Sequence, residues 1–246
     1  MRSKRLPRRA LWGLPLAAVG LLAAACSTTT AARPSSTTTT SSAPSTSATT
    51  VTQPIRHHHH HGSTTTTTRL GSPPPAGSCS VPPLRKPAAG LVVGRVTAVG
   101  DSVMIDLEPY LQSDVKGIDF DAVVGQQWYS GISDVQQLRA DGQLGAVVVI
   151  ELGTNGPITT ELFDQMMSEL QGVSRVVFVT NYVPDAYQNA NNAIIEAGAS
   201  RYGNVAVANW YALASAHPGW LCPDGYHLSC GGPGAQEVAA LITRCV

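Results

Sequence analysis

The 246-residue sequence predicts an α/β domain in which a five-stranded parallel sheet lies between two layers of helices, a three-layer α/β/α sandwich. Two observations carry this prediction. From Arg95 onward, short apolar segments alternate with longer segments of helical periodicity, which is the pattern of repeated strand–helix units. The segment Val147–Ile150 is apolar at every position, as expected for a strand that is buried on both faces.

The elements follow from these segments in chain order. The predicted strands are Val96–Val99, Phe120–Val124, Ala146–Leu152, Val176–Asn181 and Val205–Asn209. The helices between and after them are predicted at 103–113, 130–140, 157–171, 186–202, 211–216 and 234–244.

Three residues lie just past the carboxyl ends of predicted strands, namely Ser102, Gly125 and Asn155. In a sheet of parallel strands joined by crossover helices, the carboxyl ends of the strands share one edge. Open parallel sheets bind their ligands at that edge. We therefore expect these three residues to lie together at a ligand site.

Charge is distributed unevenly along the chain. All 16 acidic residues lie from Asp101 onward, whereas most of the basic residues lie before residue 88. With six basic and 16 acidic residues, the segment 88–246 carries a formal net charge of −10. Because phosphate backbones repel such a domain, the sequence argues against a nucleic-acid partner.

Residues 1–26 have the features of an export signal. Five basic residues precede an apolar run from Ala10 to Ala25, which is short for a membrane span, and Cys26 follows directly. The small residues before this cysteine resemble a bacterial lipobox, although Ala23 stands where leucine is usual. We predict lipidation of Cys26 and attachment to the extracytoplasmic face of the membrane. The alternative is an ordinary secretory signal that is cleaved near the same point.

Residues 27–78 are rich in Thr, Ser and Pro and have few large apolar side chains to offset the entropy of an ordered backbone. They are predicted to form a disordered linker, and residues 79–246 the globular domain. The run His57–His61 offers metal ligands, but such a run is more often low complexity or a purification tag.

Four cysteines remain after Cys26, an even number that favours disulfides in an exported chain. Of the three possible pairings we favour Cys222 with Cys230, which closes a small loop around His227, and Cys79 with Cys245, which joins the ends of the domain. Zinc is the competing interpretation. It is weak, because neither Cys-x-x-Cys nor a His pair at ligand spacing accompanies these cysteines.

Two segments carry the groups of a nucleophilic site. Ser102 follows Gly100 and Asp101 at a strand-to-helix junction, although Ser and Asp are also preferred helix caps. Asp224 stands three residues before His227 in a turn-rich stretch. An imidazole that is oriented by a carboxylate can take the proton of a serine hydroxyl and so activate it as a nucleophile.

Two further segments offer hydrogen-bond donors to an oxyanion. Asn155 has a short side-chain amide in the glycine-rich turn after the most apolar strand, and Gly125 offers a backbone amide. Trp128 and Trp220 lie near these turns and are candidates for stacking on sugar rings. Trp210 directly follows a strand and is expected to pack in the core.

Together these segments resemble the SGNH, or GDSL-like, hydrolase family, and more closely the extracytoplasmic domain of bacterial peptidoglycan O-acetyltransferases. The resemblance covers residues 95–245 and is carried by GDSVM at 100–104, VGQQ at 124–127, LGTNG at 152–156 and DGYHL at 224–228. Two positions depart from many family esterases: Gly156 stands where they have Asp, and Gln127 where the second block has Asn.

The resemblance implies a flavodoxin-like SGNH fold and no cofactor. It implies that Ser102 is the nucleophile, that His227 is the base oriented by Asp224, and that the Ser102 amide, Gly125 and Asn155 form an oxyanion hole. The implied function is a serine acyl-transfer enzyme that acts on O-acyl esters, mostly O-acetyl esters, of cell-envelope glycans. Water as the acceptor makes it an esterase, and a sugar hydroxyl makes it a transferase.

Partners follow from the same resemblance. The O-acetyltransferases usually join this domain to a multi-span membrane domain that supplies acetyl groups, and this sequence shows no repeated membrane-spanning pattern. We therefore expect either a separate membrane acyl-donor protein as a partner or hydrolysis of esters without one. Two other functions stay open: a catalytically silent glycan-binding module at the cell surface, and a lipase-like esterase of lipid substrates.

Overall fold

The computed structural model of the protein describes residues 79–246. The predictions for the export signal, for Cys26, for the linker and for His57–His61 lie outside these residues. Five parallel strands form one sheet in the order β2-β1-β3-β4-β5. This is the strand order of flavodoxin-like folds, so the predicted fold class is confirmed. The strands are β1 (Val92–Gly100), β2 (Ile118–Ala122), β3 (Gly145–Glu151), β4 (Arg175–Val179) and β5 (Val205–Ala208).

Helices cover both faces of the sheet. They are α1 (Ser102–Asp114), α2 (Trp128–Ala140), α3 (Thr160–Glu169), α4 (Gln188–Ala199), α5 (Trp210–Ala216) and α6 (Gly234–Cys245). Because side chains alternate along a strand, Ala98 of β1 packs with α1, α5 and α6 on one face, and Val99 packs with α2, α3 and α4 on the other. Trp210 is buried in the first of these two cores, as predicted.

Every predicted strand and helix is present, with boundaries that differ by up to four residues. The largest difference is at β1, which begins at Val92 rather than Val96. Helix α3 is shorter than the predicted 157–171, because the Thr159 side chain accepts the N–H of Leu162 and so caps the helix after Pro157.

Two disulfides are present, and their pairings are those that the sequence analysis favoured. Cys79 pairs with Cys245 at the end of α6, across 166 residues of sequence. Cys222 pairs with Cys230 across eight residues and encloses His227. The first bridge joins the ends of the domain, and the second closes the loop that follows α5.

No helix within residues 79–246 combines the length and the apolar character that crossing a membrane requires. In the same residues, no three side chains of the metal-binding types gather closely enough to hold a metal ion.

Candidate active site

Ser102 is the first residue of α1, directly after the carboxyl end of β1. A Cβ at Gly100 would lie 2.3 Å from the Cβ of Met104, so only glycine allows the strand to turn at once into the helix. Asp101 caps the helix, since its Oδ1 accepts the N–H of Val103 at 3.0 Å. This turn leaves the Ser102 hydroxyl facing the loop that follows α5.

The structure brings together the three side chains that the sequence singled out. His227 Nε2 lies 3.0 Å from Ser102 Oγ, and His227 Nδ1 lies 2.8 Å from Asp224 Oδ2. With the proton on Nδ1, the ring donates to Asp224 and its Nε2 accepts the Ser102 hydroxyl proton. Ser102 is 9% exposed, whereas Asp224 lies at the surface.

Asp224 is held in its ionised form. Its hydrogen bond with the His227 ring, together with the backbone N–H groups of Tyr226 and His227, lowers the pKa of Asp224 to about 2. These two N–H groups donate to Asp224 Oδ1 at 2.9 and 3.1 Å. The short turn thus presents its carboxylate to its own histidine, so Asp224 orients the ring as an anion.

The histidine loop is anchored directly to the serine helix. The N–H of Leu228 donates to Asp106 Oδ2 at 2.7 Å, and Asp106 lies one turn after Ser102 on α1. Within the loop, the Cys222 N–H donates to the His227 carbonyl at 2.7 Å. Sequence reasoning missed Asp106, although its spacing of four residues from Ser102 places both side chains on one face of the helix.

Asn155 lies in the turn after β3 and faces the turn after β2. Its Nδ2 donates to the carbonyl of Gln126 at 3.3 Å. Gly125 precedes Gln126 in an exposed turn and has a φ of 75°. The structure therefore brings Asn155 next to the segment of Gly125, while the oxyanion roles of both residues stay predictions.

The turn that carries Asn155 is supported by buried asparagines that the sequence analysis did not identify. Asn191 of α4 donates to the carbonyls of Gly153 and Gly156 at 3.1 and 3.0 Å, and its Oδ1 accepts the N–H of Ile158 at 2.7 Å. Gly153 has a φ of 113°, and a Cβ there would lie 2.3 Å from Asn181 Oδ1. A signal was present, since asparagine is a poor helix former and residues 189–192 hold three.

A pair of buried carboxyl groups lies behind Ser102. Asp101 follows β1 and Glu151 ends β3, and Glu151 Oε2 accepts the N–H of Met104 at 3.0 Å. Burial raises the pKa of both groups, and the neighbouring Asp101 carboxyl raises that of Glu151 further. Asp101 Oδ2 is buried without a hydrogen-bond partner. A proton held by Glu151 and donated to this oxygen satisfies it, so Glu151 is expected to be neutral.

Replacing Glu151 with Gln is expected to stabilise the domain at neutral and alkaline pH. The raised pKa of Glu151 means that its contribution to stability is complete below the unfolded pKa and declines as the pH rises toward the folded value. Glutamine imitates the protonated acid and does not titrate. Thermal unfolding from pH 4 to 9 measures the effect, at about 2–4 °C of Tm for each kcal/mol gained.

The exposed Glu196 provides the matched control, because Glu196→Gln on the surface of α4 is expected to change the Tm little at any pH. Equal Tm–pH curves for wild type and Glu151→Gln would contradict a neutral Glu151.

Comparison with known proteins finds homologues of this chain. No protein-family model matches the chain. Over 152 residues the chain is 34% identical to peptidoglycan O-acetyltransferase OatA of Listeria monocytogenes, and the alignment covers 62% of this chain and 24% of the relative. Over 163 residues it is 30% identical to the putative peptidoglycan O-acetyltransferase YrhL of Bacillus subtilis, with 66% and 25% covered. The chain is homologous to the peptidoglycan O-acetyltransferases.

The chain spans about a quarter of the length of these curated O-acetyltransferase relatives. Its fold matches the C-terminal catalytic domain of OatA from Streptococcus pneumoniae, solved with a methylsulfonyl adduct. The TM-score is 0.55 at 22% identity, and the match covers 63% of this chain and 93% of that domain. The predicted resemblance to the peptidoglycan O-acetyltransferases is thus confirmed, and the fold agrees with the predicted one.

In this O-acetyltransferase homologue, Trp128 does not lie where it could contact a substrate, as the sequence analysis had predicted. Its side chain is 3% exposed, its Nε1 donates to the Leu162 carbonyl at 3.0 Å, and its ring stacks on Phe178 at 5.9 Å. Helix α2 begins at Trp128 rather than near residue 130, which turns the ring toward the sheet. The predicted contact of Trp128 with substrate is wrong, because the ring is part of the core.

Trp220 is half-buried. Its ring stacks on that of His217 with a centroid distance of 4.0 Å, and it packs against the core beneath α6. A substrate contact for Trp220 stays a prediction.

A tyrosine network that the sequence analysis missed links the histidine loop to the turn of Asn155. The Tyr226 hydroxyl donates to Asp185 Oδ2 at 2.7 Å. The Tyr187 hydroxyl lies 2.9 Å from the same oxygen and 2.8 Å from the carbonyl of Thr154, to one of which it donates. Asp185, in the loop that follows β4, therefore holds the histidine loop, and Tyr187 of the same loop lies against the turn after β3.

Proposed function

We propose that the protein is an exported serine enzyme of the SGNH type that moves O-acetyl groups of cell-envelope glycans through an acyl-Ser102 intermediate. The observation that carries the proposal is the hydrogen-bonded series of Ser102, His227 and Asp224, with links of 3.0 and 2.8 Å. Homology to enzymes named for peptidoglycan O-acetylation supports acetyl as the acyl group and a glycan as the substrate.

The first half-reaction forms the acyl-enzyme. His227 Nε2 takes the hydroxyl proton as Ser102 Oγ bonds to the acyl carbonyl carbon of the donor ester. The tetrahedral intermediate then collapses, its bond to the donor oxygen breaks, and His227 returns the proton to the departing alcohol. Between these steps, the anionic Asp224 stabilises the imidazolium.

The second half-reaction reverses the first with a new acceptor. A sugar hydroxyl or water gives its proton to His227 and bonds to the acyl carbon, and Ser102 Oγ then leaves and recovers a proton from His227. A sugar acceptor yields a new glycan ester, whereas water yields acetate. Both outcomes use the same groups, so access of water to the acyl-enzyme determines the balance between them.

The oxyanion that forms in both halves needs donors that are already in position. We assign this role to the backbone N–H of Ser102, to Asn155 Nδ2 and, from the resemblance, to the N–H of Gly125. The Ser102 N–H belongs to the first turn of α1, where the helix dipole favours negative charge. Asn155 is held nearby by its 3.3 Å hydrogen bond to Gln126.

The proposed location is the extracytoplasmic face of the cell membrane, with Cys26 as a lipid anchor, residues 27–78 as a linker and a separate membrane protein as the acetyl donor. The two disulfides support an oxidising compartment. Labelling with a radioactive or alkyne fatty acid in a producing bacterium tests the anchor. Cys26→Ser is expected to abolish the label and to release the protein from the membrane.

Burst kinetics with 4-nitrophenyl acetate test the proposed chemistry. The wild type is expected to release one nitrophenol per active site before steady turnover, and Ser102→Ala is expected to release none. Addition of chitotetraose then separates the two acceptors. Acetylated sugar identifies a transferase, and acetate release that is unaffected by the sugar identifies an esterase.

Two outcomes of this experiment would refute the proposal. Wild-type rates equal to those of Ser102→Ala would leave only a glycan-binding module. In a series of esters with two to eight acyl carbons, a rise in kcat/KM with chain length would indicate a lipase-like enzyme.

Replacing Asp106 with Ala is expected to lower kcat about 10- to 100-fold, with a small change in KM. The substitution leaves the buried N–H of Leu228 without an acceptor, at a cost of about 1–3 kcal/mol, and so frees the backbone beside His227. Asp106→Asn keeps an oxygen that can accept this hydrogen bond and is expected to restore most of the rate.

Steady-state ester hydrolysis gives kcat and KM for these Asp106 variants. Asp114→Ala, at the exposed end of the same helix, is the control. Equal losses in Asp106→Ala and Asp106→Asn would contradict a positioning role through this hydrogen bond.

A further inference from the structure

An open cleft of about 460 Å³ lies beside the histidine loop, at the β4–β5 side of the carboxyl edge of the sheet. Small-molecule sites commonly have volumes of ~300–1,000 Å³ and occur at such edges. Three segments form its walls: the turn after β4, helix α5 and the histidine loop. The lining residues that matter here are Tyr182, Gln188, Tyr211, Ser215, Cys222 and Gly225.

The chemistry of the lining suits an uncharged ligand with both flat apolar and hydroxylated faces. No lining side chain is charged. Tyr182 and Tyr211 are half-buried, with ring centroids 6.1 Å apart and ring planes 39° apart. Tyrosine rings offer apolar faces with polar edges. Gln188 bonds to Val183 and Asn189, and the Ser215 hydroxyl donates to the Tyr211 carbonyl, so the second amide hydrogen of Gln188 and the Ser215 oxygen are the groups that can bond to a ligand. The C–H faces and hydroxyl edges of a sugar ring match this combination.

The other ligand classes fit the cleft less well. The formal charge of −10 on residues 88–246 opposes an anionic ligand. An acyl chain favours an enclosed apolar site, whereas this cleft is open and carries polar groups along its length.

The cleft is continuous with the proposed active site through one loop. Cys222 and Gly225 belong to the same disulfide-closed loop as His227. Gly225 stands two residues before His227, so their Cα atoms are at most ~7 Å apart. His227 Nε2 is in turn 3.0 Å from Ser102 Oγ. A chain bound in the cleft therefore passes within a few sugar units of the nucleophile.

We propose that this cleft binds an uncharged N-acetylhexosamine segment of the glycan strand and thereby presents a neighbouring sugar of that strand to Ser102. The identity of the ligand as a glycan rests on the proposed function. Tyr211 supplies the stacking face, and Ser215 lies one helical turn further along the same face of α5. The cleft is thus an acceptor subsite that is separate from the oxyanion and triad residues.

Titration of the exported chain carrying Ser102→Ala with chitotetraose tests the proposal, because this protein binds sugar without turnover. Binding is followed by isothermal calorimetry or by NMR chemical shifts up to about 10 mM sugar, a concentration above the Kd of ~1 mM of a weak ligand. Adding Tyr211→Ala is expected to raise Kd at least about tenfold, and Tyr211→Phe, which keeps the ring, about threefold or less.

Ser215→Arg tests the same cleft without touching the core, since Ser215 is exposed. The longer side chain obstructs the cleft, and Kd is again expected to rise at least about tenfold. Tyr110→Ala, at an exposed tyrosine on α1, is the matched control and is expected to leave Kd unchanged.

Three results would overturn the subsite: no binding of chitotetraose, a Kd that neither Tyr211→Ala nor Ser215→Arg changes, or displacement of the sugar by octanoate. The proposed function is judged separately, by Ser102-dependent acyl release. Acyl release without sugar binding in the cleft refutes the subsite alone. Cleft-dependent binding without acyl release supports the subsite and refutes the proposed chemistry.

Discussion

His227→Ala is expected to lower kcat for acyl release by at least about 10⁴-fold, with little effect on folding. The imidazole is the group within hydrogen-bond reach of Ser102 Oγ, at 3.0 Å, that can accept its proton. It is half-buried in a surface loop, and its removal leaves the disulfide and the Asp106 anchor in place. Steady-state hydrolysis of 4-nitrophenyl acetate measures the loss.

Two comparisons show whether this loss comes from one cooperating unit. The double variant Ser102→Ala/His227→Ala is expected to be no slower than Ser102→Ala alone, because groups that act as a unit are not additive. His217→Ala replaces another loop histidine, stacked on Trp220, and is expected to retain activity. A His227→Ala enzyme with a tenth or more of wild-type activity would refute the assigned base.

The pH dependence of the wild type follows from the same geometry. Because the pKa of Asp224 is lowered to about 2, this carboxylate stays ionised well below neutral pH. Protonation of Asp224 is therefore not expected to cause a loss of activity in mildly acidic solution. Asp224→Asn is expected to lower kcat by about 10²–10⁴-fold, since the amide no longer stabilises the imidazolium.

Removing the Cys79–Cys245 bridge as a Ser/Ser double variant is expected to lower the free energy of unfolding by about 5 kcal/mol. The bridge closes a loop of 166 residues, and the chain entropy that it removes from the unfolded state grows with loop length. The bridge of Cys222 to Cys230 spans eight residues, so its loss is expected to cost about half as much stability. Urea unfolding at one pH compares the two.

The structure has a second link between the two ends of the domain, which limits the stability that is lost with the Cys79–Cys245 bridge. Arg175 donates to the carbonyls of Pro82 and Val246, so the two ends of the domain stay near each other by hydrogen bonds as well. The Cys222→Ser/Cys230→Ser variant is the control, because it removes the same kind of bond. Relative to wild type, its activity is expected to fall more strongly than its free energy of unfolding, because its loop carries His227. Equal losses of stability in the two variants would contradict the loop-length argument.

Much of the fold was predictable because its causes are local. Apolar alternation and apolar runs mark the strands. Because a helical segment connects each strand to the next, the strands are parallel and their carboxyl ends lie at one edge of the sheet. The motifs around Ser102, Asn155 and His227 then mark the turns at that edge. The bounds were less certain, since a single cap such as Thr159 moves the start of a helix by three residues.

The residues that the sequence analysis missed act through contacts between distant segments. Asp106 lies 122 positions from Leu228, Asn191 lies 35 from Gly156, and Tyr226 lies 41 from Asp185. Nothing in the local pattern of an amphipathic helix distinguishes an aspartate that accepts a loop N–H from one that faces water. Trp128 is an error of the opposite kind, a site residue that was predicted and is not one. The sequence analysis placed it in a turn, whereas α2 begins at Trp128, two positions before the predicted start, and its ring lies in the core.

By itself the sequence determined the strand–helix alternation, the identity of the nucleophile, base and carboxylate candidates, and an even set of cysteines in an export context. Only the tertiary structure decided which groups meet: the 3.0 Å approach of His227 to Ser102, the buried pair of Asp101 and Glu151, and the cleft beside the histidine loop. The physical reason is range. Backbone preferences and apolar periodicity act over a few residues, whereas hydrogen bonds and burial at the edge of the sheet depend on how crossovers bring remote turns together.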